Sequence, residues 1–179
     1  MKKFLLVLAT LLLIVGCDIV MSSPTKRVER FLSKYQTIDE EVLVQLDEMV
    51  NKEETLNEEL KKAYKEVMKN QYQNLYYIIK DEKVDGNHAV VTVEIEVFDY
   101  SKSMRKADDY LIKNEKDFSN EKGEIDSYKF MTYKIDKMKN TKDKIKYTIE
   151  FKLTKNNNKW NLDEIDEVTR QKIHGTYIE

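Results

Sequence analysis

An α+β fold, with helices leading into an antiparallel sheet, follows from three observations. Between residues 24 and 71, three stretches place apolar side chains at helical spacing behind helix-start signals. Residues 89–100 and 144–154 alternate apolar and polar with period two, the mark of antiparallel strands covered on one face. Between those strands, residues 101–140 return to helical spacing, so the sheet is interrupted by a two-helix insertion.

The first helix is predicted from Ser23 as N-cap and Pro24 at the first helical position, where a missing N–H costs nothing. Val28, Phe31, Leu32 and Tyr35 give it one apolar stripe. Thr37-Ile38-Asp39-Glu40 reads as a capping box with Thr37 as cap, ahead of a helix lined by Val42, Leu46 and Met49. Thr55-Leu56-Asn57-Glu58 repeats the box before Leu60, Tyr64, Val67, Met68 and Gln71.

Tyr76 to Lys83 is rich in strand formers, and Asp85-Gly86-Asn87 is a hairpin turn signal. In the next strand Val91, Val93, Ile95 and Val97 face one side, with Thr92, Glu94 and Glu96 on the other. Met104, Ala107, Leu111 and Phe118 then share a helix face, which Asn120 to Gly123 break. Ile125, Tyr128, Thr132, Ile135 and Met138 fit a second helix; a strand over 128–137 is the alternative, because aromatic residues favour strands. The second clean strand points Ile145, Tyr147, Ile149, Phe151 and Leu153 one way and Lys146, Thr148, Glu150 and Lys152 the other. Asn156-Asn157-Asn158 turns the chain into a hairpin partner at Lys159 to Leu162, and a short helix after Asp166 ends near Gly175.

The first seventeen residues bear on location. Lys2 and Lys3 precede an apolar run, Phe4 to Val15, which as a helix would extend about 18 Å against a bilayer core of about 30 Å. That is the length of a signal-peptide core, and it ends in Ile14-Val15-Gly16-Cys17. The tetrad resembles the lipobox of bacterial lipoproteins, which implies cleavage before Cys17, acylation of its thiol by chains such as palmitate, and a tether over 17–23. Two or three acyl chains suffice for stable anchoring. The expected location is the extracytoplasmic face of the cell membrane, with residues 24–179 as a single α+β domain. Cys17 is the only cysteine, so there is no disulfide framework.

Without residues 1–16 the chain has 163 residues and a net charge of about −4, which argues against bulk nucleic-acid binding. Charge is uneven: Lys26, Arg27, Arg30 and Lys34 cluster near the tether, whereas residues 39–66 hold ten acids against four lysines. Three glycines remain, too few for a phosphate-cradling loop.

Helices first, then an antiparallel sheet ending in a tryptophan-bearing hairpin with Lys159-Trp160 after a polar turn, resembles the cystatin-like cone of the nuclear-transport-factor-2-like superfamily. Together with the lipobox, the pattern is similar to small Gram-positive lipoproteins of unassigned function with that domain. The resemblance implies N-terminal helices packed on a curved sheet. Enzymes of that superfamily, of the isomerase or dehydratase type, place Asp, His or Tyr inside the cone. Here the inward faces are aliphatic and aromatic, which argues against an inherited activity.

His88 and His174 have no His or Cys at ligand spacing, so no metal site is expected and both are read as exposed. Adjacent acids such as Asp108-Asp109 diverge around a helix and form no catalytic dyad. No cofactor is implied. Eleven tyrosines are the compositional excess. Tyr64, Tyr72, Tyr76, Tyr77, Tyr100 and Trp160 are candidates to line the mouth of the cone around a protein, peptide or small apolar ligand; packing of core and rim is the simpler account, since strand tyrosines need no ligand to explain them. The sequence thus favours a tethered, non-catalytic binding module, the alternative being an envelope enzyme acting on a small apolar substrate.

Overall fold

The computed structural model describes residues 23–178. Cys17 and the apolar leader therefore lie outside the described residues. The elements run α1 (Pro24–Thr37), α2 (Glu40–Asn51), α3 (Glu58–Gln73), β1 (Tyr76–Asp85), β2 (His88–Phe98), α4 (Tyr100–Lys113), α5 (Ser127–Lys139), β3 (Lys144–Asn156), β4 (Lys159–Leu162) and α6 (Glu167–His174), with a 3₁₀ turn at Glu115–Phe118. The fold is α+β, and its four strands form an antiparallel sheet in the order β1-β2-β3-β4. The insertion between β2 and β3 is helical, and residues 127–139 are helix rather than strand. No helix among the described residues is long and apolar enough to cross a membrane.

Helix starts follow the sequence with one systematic correction. Ser23 Oγ accepts from the Lys26 amide at 3.2 Å, as the Ser-Pro signal predicts. The second and third helices, however, are capped by Asp39 and Asn57, whose side chains accept from Val42 N and Leu60 N; Thr37 and Thr55 are not the caps. The cause is at the end of α1. Ile38 takes φ 50° and its amide bonds back to Tyr35, so α1 keeps Thr37 and the first extended residue is Asp39. In α2 the buried stripe is Val42, Leu46 and Val50, with Met49 half-buried at its edge. In α5 it is Ile135 and Met138; Ile125 and Tyr128 are exposed, because Ile125 pairs with Ser119 in an isolated bridge and the helix begins after Asp126.

Two compact units emerge from the chain. The first comprises residues 23–33, 78–94 and 148–165. Here Val28 and Leu32 of α1 are fully buried, and Phe31 meets Phe151 edge-on at 5.7 Å. Val91, Val93, Ile149, Phe151, Leu153 and Trp160 are buried, as the period-two pattern requires. The Thr25 amide donates to Glu82 of β1 at 2.9 Å, so a carboxylate satisfies an open amide in the first turn of α1. The β3–β4 turn puts Asn157 and Asn158 at φ 50° and 59°, the left-handed pair that a two-residue hairpin needs and Asn tolerates. This sets Leu153 opposite Leu162 and Lys155 opposite Trp160.

The second unit comprises residues 34–77, 95–147 and 166–178. Helix α3 is its centre: α2, α5 and α6 pack on it, and α4 packs on α5. Gln71 of α3 is completely buried yet fully used. Its Nε2 donates to Phe98 O at 3.0 Å and His174 O at 2.8 Å, and its Oε1 accepts from Phe98 N at 2.9 Å. One amide thus joins α3, the end of β2 and the end of α6. Beside it, Gly175 at φ 69° closes α6, and its carbonyl accepts from Ser101 N at 2.8 Å.

Candidate functional site

In the second unit, three helices and the last turn of α1 line a cavity of about 330 Å³, within the usual range for ligand sites. The end of α1 contributes Tyr35, α3 contributes Tyr72, and α6 contributes Glu167, Arg170 and His174. Along its length α2 supplies Val42, Leu46 and Met49 on one stripe and Gln45 and Glu48 beside it, with Lys52 at its C-cap. The stripe falls at helical spacing, so one helix presents an apolar floor and a charged rim to the same groove.

The wall is an aromatic ladder. Tyr35 and Tyr72 meet edge-on at 5.0 Å, and Tyr72 lies 5.6 Å from the His174 ring. Burial pushes the Tyr35 phenol up to about 12, against the opposing effect of Arg170, and raises Tyr72 further. Burial also presses the His174 imidazole down to about 4, and the neighbouring Arg170 guanidinium acts in the same direction. At neutral pH all three rings are uncharged. The fixed charges are on the rim, where Arg170 Nε stands 3.8 Å from Glu167 Oε2. An acid or base working near pH 7 needs a pKa near 7, and none of these rings has one. What the groove offers is apolar contact, neutral polar tips and a rim of both signs.

The tyrosines singled out from sequence do not form one lining. Tyr72 and Tyr100 are buried in the second unit, with Tyr100 Oη donating to Val67 O at 3.1 Å. Tyr64 is half-buried near both, its phenol raised to about 12 by burial. Tyr77 is half-buried and Tyr76 is 55% exposed. Trp160 is buried in the first unit, with Lys155 Nζ 5.5 Å over its ring. Of the six, only Tyr72 faces the groove.

Sequence spacing alone does not mark His174, Arg170 and Tyr35 as groove residues. His88 is exposed as expected, but His174 is not: Gly175 turns the chain at the end of α6, and the imidazole is held against Tyr72. The available signal was Asp166 as N-cap and Gly175 as stop, which fix the phase of a helix carrying Glu167, Arg170 and His174 near one face.

No protein-family model matches the chain, and no curated protein matches it. Among solved structures, a candidate lipoprotein of Bacillus subtilis strain 168, ycdA, is similar over 71% of this chain at 20% identity, with a TM-score of 0.41. The chain spans 39% of the length of ycdA.

Proposed function

We propose that this protein is a lipid-anchored, extracytoplasmic binding module without catalytic activity. The anchor is Cys17, supported by the basic start, the short apolar run and the small residue at Gly16. The binding element is the groove of Tyr35, Tyr72 and His174, and the occupant that suits it is an apolar or peptide segment. One observation carries the non-catalytic reading: every ring in the groove is held neutral at pH 7, with pKa values moved away from 7 rather than toward it. The helix-first order and antiparallel sheet with a helical insertion support a cystatin-like domain.

A photoreactive side chain at Gln45, which lines the groove and is exposed, tests the binding element in cells. A discrete adduct should form, vanish when Met49→Arg fills the groove, and persist with Val44→Arg at a position 51% exposed. An adduct indifferent to Met49→Arg contradicts the proposed site.

A further inference from the structure

The insertion holds a second cavity, of about 490 Å³, whose chemistry differs from that of the groove. It lies in the second unit and draws its lining from three places: Ser103, Lys106 and Tyr110 of α4, Tyr133 and Lys137 of α5, and the link at 140–143 with Lys142. Three lysines converge on it from separate elements, with Asp143 the single carboxylate in the lining.

That carboxylate is already engaged. Lys102 Nζ lies 2.7 Å from Asp143 Oδ2, while Lys106 Nζ is 4.0 Å away. Among the described residues, neither Lys137 nor Lys142 has a carboxylate within ion-pair distance. The Lys137 ammonium sits instead 4.8 Å over the Tyr133 ring, and Tyr133 stacks on Tyr110 at 5.2 Å. The floor is pinned by a directed chain. Thr141 Oγ1 donates its one proton to Lys137 O at 2.9 Å, so the 2.5 Å bond between the hydroxyls must be donated by Ser103. This fixes α4 against the end of α5 and sets the spacing of Lys106 and Lys137.

Three lysines against one carboxylate already shared with Lys102 leave an excess of positive charge, which attracts an anion. From this geometry we infer that the insertion binds a phosphate ester. Lys106, Lys137 and Lys142 hold the phosphate group, and the Tyr110–Tyr133 wall packs its organic part. Lysine suits such a role as a compact, multiply donating point charge. The volume leaves room for a small body beyond the phosphate. The ester could belong to a free metabolite or to a lipid headgroup. The inference does not depend on Cys17 or on the aromatic groove.

The test titrates the full chain in neutral detergent micelles with inorganic phosphate and glycerol phosphate, reading the Tyr110 and Tyr133 ring resonances. A parallel arm measures flotation with phosphatidylglycerol against phosphatidylcholine vesicles. Wild type is compared with Lys106→Gln/Lys137→Gln/Lys142→Gln, with single Lys142→Gln, and with Lys113→Gln/Lys122→Gln/Lys129→Gln, which removes equal charge elsewhere on the insertion. Saturable shifts weakened about tenfold in the site variant, less in the single variant and not in the control, support a site for soluble esters. Phosphatidylglycerol flotation lost only in the site variants, without shifts from soluble phosphates, supports the headgroup form. Absence of both responses, or equal loss in the site and control triples, overturns the inference.

Discussion

Replacing Gly175 with alanine tests the junction that positions α6. Gly175 sits at φ 69°, and a Cβ there would lie 2.1 Å from Phe98 O and 2.2 Å from Gln71 Nε2. The backbone conformation alone costs an alanine about 1–2 kcal/mol. Relieving the clash must also move the Gln71 amide, which makes three buried hydrogen bonds. Leaving one such group unsatisfied costs about 1–3 kcal/mol, so the total is about 2–5 kcal/mol. Gly86 provides the control: its φ is 57°, yet nothing lies within 4 Å of its would-be Cβ. Gly86→Ala should therefore cost only the backbone term, about 1–2 kcal/mol. Both variants share the backbone term, so urea denaturation should read a gap of about 2 kcal/mol, the cost of the disturbed amide. Adding Gln71→Ala to Gly175→Ala should cost less than the sum of the two, since the amide is already displaced. Equal losses for Gly175→Ala and Gly86→Ala would refute this account of the junction.

Further expectations concern the core and its titrating groups. Ile149→Asp places a carboxylate at a position 3% exposed and should unfold the chain, read as lost near-ultraviolet circular dichroism. Because His174 is held near 4 when folded and returns to about 6.5 when unfolded, the unfolded chain binds more protons between those values. Stability should fall as pH drops from about 6.5 to 4, by on the order of 2 kcal/mol from this group, and His174→Gln should remove that share of the slope. The phenols of Tyr35, Tyr64 and Tyr100 are pushed up to about 12 by burial. The unfolded state alone then loses those protons above pH 10, so stability falls there, and their phenolate absorbance at 295 nm should appear only with unfolding. A single early titration of all eleven tyrosines would contradict the burial described.

Period-two and helical spacing made the strands, the helices and the insertion legible, because one covered face leaves its mark on every second or every third and fourth residue. Val91, Val93, Ile149 and Phe151 are buried as the alternation required. Caps were less legible. Thr37-Ile38-Asp39-Glu40 satisfies the spacing of a capping box, yet Asp39 wins because Ile38 reverses the chain at a positive φ that its side chain gives no reason to expect. Gln71 was placed on the right face, but its partners are a strand end and a residue 103 positions away, which no local pattern encodes. The groove was hidden for the same reason. Tyr35, Tyr72 and His174 belong to three helices, and the junction at Gly175 holds the end of α6 where His174 meets Tyr72.

The proposed anchoring rests on Cys17, and the mass of the N-terminal peptide from membrane-extracted protein tests it most directly. The account predicts a peptide that begins at Cys17 and carries the mass of acyl chains, with both features lost in Cys17→Ala. An unmodified Cys17 still preceded by residues 1–16 would contradict it.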